Sequence, residues 1–60
     1  MKHRLLIIED NEQNLYLMRF LLEKSGFEVV GAEDGREGVE KALTVKPHAI
    51  LLDIQLPEMD

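Results

Sequence analysis

Twice in this 60-residue chain a run of four aliphatic residues ends directly in a carboxylate. Leu5-Leu6-Ile7-Ile8 runs into Glu9-Asp10, and Ala49-Ile50-Leu51-Leu52 runs into Asp53. A continuous apolar run without polar alternation predicts a strand buried on both faces, the kind found in parallel sheets covered by helices. An acid at the end of such a strand is expected to leave the core and point into the crevice beyond the sheet, where open α/β folds place their chemistry. Carboxylates gathered there repel one another, and a divalent cation relieves that repulsion.

The segments between the runs predict two helices and a further strand. Asn11 is placed to cap a helix whose first turn carries Glu12 and Gln13, where negative charge suits the helix dipole. Leu15, Met18, Leu21 and Leu22 share one side of it, with Leu17 at the border and Glu12, Arg19 and Glu23 opposite. Lys24 sits in the last turn and Gly26 is placed to end the helix. Tyr16 and Phe20, four apart on the outer side, are expected to pack elsewhere within the fold. Phe27-Glu28-Val29-Val30 predicts a weaker strand, and Glu28 suits a sheet edge. Asp34 caps a second helix through about Leu43 or Thr44, with Val39, Ala42 and Leu43 inward; Pro47 ends it.

The order strand, helix, strand, helix, strand predicts an α/β fold with a parallel three-stranded sheet. The charged second strand belongs at the edge, so the strand order is 2-1-3. Right-handed crossovers then place the two helices on opposite faces. The chain reverses direction in the sheet beside the ends of strands one and three, so Glu9, Asp10 and Asp53 are expected to meet there.

Composition narrows the function classes. Hydrophobic residues make up 45 % of the chain, which is globular in character, and 60 residues hold one domain at most. The net charge of −5 argues against nucleic acid as a partner. No segment has the length and character of a membrane span or a signal peptide, so a cytoplasmic address is expected. With no cysteine, neither disulfides nor thiolate metal sites are available. His3 and His48 are expected at the surface, at strand starts. The oxygen-rich donor set suits Mg²⁺, with Asp10 and Asp53 as direct or water-mediated ligands and Glu9 in the outer shell. An Asp beside such a metal is also a nucleophile towards phosphorus.

Leu6-Ile7-Ile8-Glu9-Asp10-Asn11 and Leu51-Leu52-Asp53-Ile54-Gln55-Leu56-Pro57-Glu58-Met59-Asp60 resemble the receiver domains of two-component response regulators. Glu9-Asp10-Asn11 with Asn14 is most similar to single-domain regulators and to receivers of hybrid histidine kinases. The resemblance spans residues 1–60 and implies the N-terminal half of a flavodoxin-like doubly wound domain. It implies Asp53 as phosphoacceptor, Glu9 and Asp10 as the acidic pair organising Mg²⁺, and the Gln55 backbone carbonyl as a further ligand. Pro57 matches the turn after the acceptor strand. The implied donor is a phosphohistidine on a histidine kinase or histidine phosphotransfer protein, with the chain itself a phosphoacceptor and not an enzyme acting on other substrates. The switch Ser/Thr, the Lys and the reporting aromatic of such domains belong to their second half. With nothing to pair the outer edge of strand three, a homodimer through that strand is expected.

Three other readings compete. A haloacid-dehalogenase-type phosphohydrolase is disfavoured because its second acid, two residues after the nucleophile, is Gln55 here. A nucleotide-binding α/β domain is disfavoured because no glycine-rich loop follows strand one. A self-associating assembly fragment without phosphotransfer is separable by phosphorylation from acetyl phosphate.

Overall fold

A computed structural model describes residues 2–52 of the chain. The elements run β1 (Arg4–Ile8), α1 (Glu12–Lys24), β2 (Glu28–Ala32), α2 (Gly35–Val45) and β3 (Ala49–Leu52). The sheet order is β2-β1-β3, with both pairings parallel. This is the α/β unit expected from the alternation, half of a flavodoxin-like sheet. No helix among the described residues is long and apolar enough to cross a membrane.

The register shows how the faces divide. Ile7 pairs with Gly31 and Ile8 with Ala32. A Cβ on Gly31 would lie 2.9 Å from Leu15 of α1, whereas Gly38 of α2 packs against Ile8. Because adjacent strand residues point to opposite faces, α1 covers the Leu5–Ile7 side and α2 the Leu6–Ile8 side. Leu6 and Ile7 are fully buried, and Leu5, Val29 and Ala32 complete the core. Full burial of Leu6 or Ile7 contributes roughly 1.5–3 kcal/mol each.

Helix ends follow from local chemistry. Asn11 Oδ1 accepts from the Asn14 amide at 3.0 Å, and Asp34 Oδ1 from the Glu37 amide at 2.8 Å. Gly26, at φ 99°, closes α1: its amide donates to the Glu23 carbonyl and the Phe27 amide to the Leu22 carbonyl. That paired arrangement satisfies carbonyls the helix leaves open, and the left-handed turn favours glycine. α2 runs to Val45, slightly further than expected, and Lys46 caps it at φ 50°. Pro47 thus ends the helix with its preceding residue left-handed rather than extended.

Several expectations need correction. β3 was expected to be buried on both faces, yet Ala49, Ile50, Leu51 and Leu52 are all exposed. It is an outer strand of the described sheet; α1 lies over β2, and α2 over β1 and β2. The same narrow cover explains the helices. Leu15, Met18 and Leu22 of α1 are half-buried as expected, but Leu21 is exposed. Ala42 of α2 is half-buried, while Val39 and Leu43 are exposed. Periodicity identifies an apolar stripe, but the three described strands are too narrow to cover its full width. Tyr16 and Phe20 do not pack into the described fold either; both are exposed, with the Lys24 ammonium 5.9 Å from the Phe20 ring centre. β2 extends through Gly31 and Ala32, beyond the predicted strand.

Polar contacts tie the layers together. Arg4 Nε pairs with Glu28 at 3.0 Å, and its Nη1 donates to the Val45 carbonyl at 2.5 Å, joining β1, β2 and the end of α2. His3 and His48 are exposed as expected. The Arg4 amide donates to His48 Nδ1 at 2.9 Å and the His48 amide to the Arg4 carbonyl at 2.8 Å, so His48 extends the β1–β3 ladder by a side-chain bond. Lys41 Nζ reaches both the Gly31 carbonyl at 2.5 Å and Glu37 at 2.9 Å.

Two predictions follow from this packing. A Cβ at Gly38 would approach Ile8 Cγ1 to 2.7 Å, inside any normal contact. Gly38→Ala is expected to lose about 1–3 kcal/mol to overpacking, against roughly 1 kcal/mol regained from helix propensity. Urea unfolding should show net destabilisation, and a more stable variant would mean that α2 stands off β1. Separately, the hydrogen bond from Lys41, aided by that from the Glu33 amide, holds the Glu37 carboxyl below its usual range. Its folded-state pKa is depressed, so its contribution is present above the ordinary carboxylate pKa and lost as pH falls through the folded value. Glu37→Gln should therefore weaken the acid dependence of stability between about pH 5 and 3. An unchanged profile would mean that the Lys41 contact does not persist in solution.

Candidate functional site

The carboxyl-terminal end of the sheet is where the acids gather. β1 ends at Ile8 and is followed by Glu9 and Asp10; β2 ends at Ala32 and is followed by Glu33 and Asp34. Leu52, the last residue of β3, pairs with Ile8. The residue before Asp53 and the residue before Glu9 are therefore neighbours in the sheet. Asp53, Gln55 and Pro57 lie outside the described residues.

Glu9 and Asp10 are adjacent in sequence but differ in environment. The Glu9 amide still donates to the Ala32 carbonyl at 2.9 Å, which continues the β1–β2 ladder by one residue. Its side chain is only 1 % exposed, so Glu9 has not left the core as the strand-end argument expected. Alternation supplies the reason: Glu9 follows Leu5 and Ile7 on the side that α1 covers. Its Oε1 accepts from the Asn11 backbone amide at 3.0 Å. Asp10, next along the chain, is exposed.

Asn11 therefore serves two purposes. Its amide is held by Glu9, while its side chain caps α1 through the Asn14 amide. The Glu9-Asp10-Asn11 turn is fixed at both ends, with the Asp10 carboxylate left at the surface between them. The bond from Asn11 to Glu9 was not read from the sequence. The signal available was an acid two residues before a helix cap, which is close enough to fold back on the cap's amide.

Glu9 and Asp10 offer hard oxygen donors, which fit Mg²⁺ in kind. Among the described residues no group of three or more His, Cys, Asp or Glu side chains is arranged to hold a metal ion. Glu9 and Asp10 are the acids that β1 contributes at this end of the sheet. The acids after β2 stand differently: Asp34 is committed to capping α2, and Glu33 is exposed.

Comparison with known proteins bears on this geometry. Residues 5–60 match the family described as response regulator receiver domain. The chain is 42 % identical over 60 residues to the alkaline phosphatase synthesis transcriptional regulatory protein PhoP of Bacillus subtilis, covering all of this chain and 25 % of that protein. It is 44 % identical over 59 residues to the polar-differentiation response regulator DivK of Brucella anthropi, covering 98 % of this chain and 48 % of that one. DivK of Brucella ovis matches at the same identity and coverage. The chain thus spans between a quarter and a half of the length of these relatives. No solved structure matches it.

Proposed function

The chain belongs to the response regulator receiver family, and on that premise we propose that it accepts a phosphoryl group on Asp53 from a phosphohistidine of a histidine kinase or histidine phosphotransfer protein. The observation that carries the reading is the register: Ile8 and Leu52 are paired, and each is followed at once by acid. A carboxylate following Leu52 and the Glu9-Asp10 pair following Ile8 together make a hard-oxygen donor set of the kind that would hold Mg²⁺ for phosphoryl transfer.

In this proposal Asp10, Asp53 and the backbone carbonyl of Gln55 would hold the Mg²⁺, and Glu9 would act from the outer shell. The contrast between the two acids of the pair supports that division. Exposed Asp10 has a carboxylate open to a hydrated cation, whereas buried Glu9 is engaged by the Asn11 amide. When bound, the metal supplies charge neutralisation at the phosphoryl oxygens. Glu9 holds the turn that presents Asp10, whose exposed carboxylate would be a ligand to the cation. The bond broken is the donor's N–P bond, and the bond formed joins phosphorus to an Asp53 carboxylate oxygen. The imidazole leaves with its electron pair and takes up a proton. The chain's role is that of a signalling acceptor that turns over at most its own phosphoryl group, in the cytoplasm.

Two outcomes check the proposal. In a full receiver carrying these residues, incubation with a phosphohistidine donor and Mg²⁺ should label the protein at Asp53, and Asp53→Asn should abolish the label with little change in fold. Wild-type labelling of the Asp53→Asn protein would refute the acceptor assignment. For the metal, Asp10→Ala should weaken Mg²⁺ binding more than Glu9→Gln does, since Glu9 acts through position rather than ligation. Equal Mg²⁺ affinity in wild type and Asp10→Ala, measured by titration, would remove Asp10 from the ligand set.

A further inference from the structure

Arg4 is held from several directions at once. Its guanidinium engages Glu28 of β2 and the Val45 carbonyl at the end of α2. Its carbonyl accepts from the His48 amide at 2.8 Å, and its own amide donates to His48 Nδ1 at 2.9 Å. His48 therefore grips Arg4 twice, once through its backbone and once through its ring. The joint lies between β1 and β3, where the chain passes from α2 into β3, and the groups that form it are all among the described residues.

The ring bond fixes the chemistry of the imidazole. A backbone amide can only donate, so Nδ1 must present a lone pair and the neutral ring carries its proton on Nε2. This speaks against a metal ion on His3 and His48, whose ring centres are 5.0 Å apart, because the protonated Nε2 has no lone pair to offer while Nδ1 is engaged.

We propose that His48 is a proton-operated clasp on the amino-terminal end of the β1–β3 pairing. Histidine is the side chain whose charge ordinarily changes between about pH 5 and 8. The His48 side chain is exposed, so protons reach it from solvent. A proton arriving at Nδ1 occupies the lone pair that the Arg4 amide uses and sets two donors against each other. That one bond then opens. The bond from the His48 amide and the contacts of the Arg4 guanidinium do not involve the ring, so the joint loosens while the strands stay paired. The imidazolium has His3 against its ring, Arg4 on β1 and Lys46 at the end of α2, and the Glu28 carboxylate of β2 is already paired with Arg4. His3 takes up a proton in the same range, so the test must separate the two rings. The clasp is at the opposite end of the strands from the acids after Ile8 and Leu52 and does not depend on phosphoacceptor chemistry. Either proposal can fail alone.

Nuclear magnetic resonance of a full receiver carrying these residues tests this. At about pH 8 the His48 ring should be in the Nε2–H form, with Nδ1 at the nitrogen shift of an unprotonated ring atom. As the pH falls to about 5, the Arg4 amide proton should move upfield, towards the position of an amide without a partner, along the same curve as the His48 ring. His48→Gln should abolish that movement, and His3→Gln should retain it. A His48 ring in the Nδ1–H form at the higher pH overturns the proposal. So does an Arg4 amide that stays in place while His48 titrates, or one whose titration survives His48→Gln. Should either variant fail to fold, the two wild-type curves decide.

Discussion

β1 is hydrogen-bonded along both of its edges, and the other elements take their positions from it. Leu6 and Ile7 at its centre are fully buried, and together their burial supplies on the order of 3–6 kcal/mol. In a 60-residue chain that is a large share of the net stability available. The two parallel ladders fix where β2 and β3 end relative to β1. Glu9, which follows β1, and Glu33, which follows β2, are therefore placed by aliphatic packing and backbone bonding several residues away. A one-residue slip of β3 would turn Ile50 and Leu52 to the opposite face.

The same constraint explains the division of labour within the acidic pair. Glu9 continues the alternation of β1 and so falls on the covered face, where it is buried and holds the Asn11 amide. Asp10 is one residue further and exposed. One carboxylate shapes the turn and the other is presented to the solvent. The helix cap at Asn11 fixes this arrangement, because a cap that moved would release the Glu9 contact as well.

Strand, helix and sheet order were legible in the sequence because they rest on local pattern. The unbroken aliphatic runs marked β1 and β3, the caps at Asn11 and Asp34 marked both helices, and Glu28 marked an outer strand. Burial was less legible, because periodicity shows which residues could be covered but not how much sheet is present to cover them. Leu21, Val39 and Leu43 lie on apolar stripes and remain exposed for that reason. The burial of Glu9 was missed because charge was given more weight than strand alternation. The His48 side-chain bond to the Arg4 amide left no pattern, since a lone polar residue before a strand has many possible partners.

The proposed function requires one cation site formed at the carboxyl-terminal ends of β1 and β3. Paramagnetic broadening by Mn²⁺, used in place of Mg²⁺, tests it directly in an amide-resolved nuclear magnetic resonance spectrum of the protein. The strongest broadening is expected at Glu9, Asp10 and Asn11 together with the residues immediately after Leu52, with its loss from both segments on Asp10→Ala. Broadening centred instead on Glu33, Asp34 and Glu37, with the β1 and β3 ends unaffected, would contradict it.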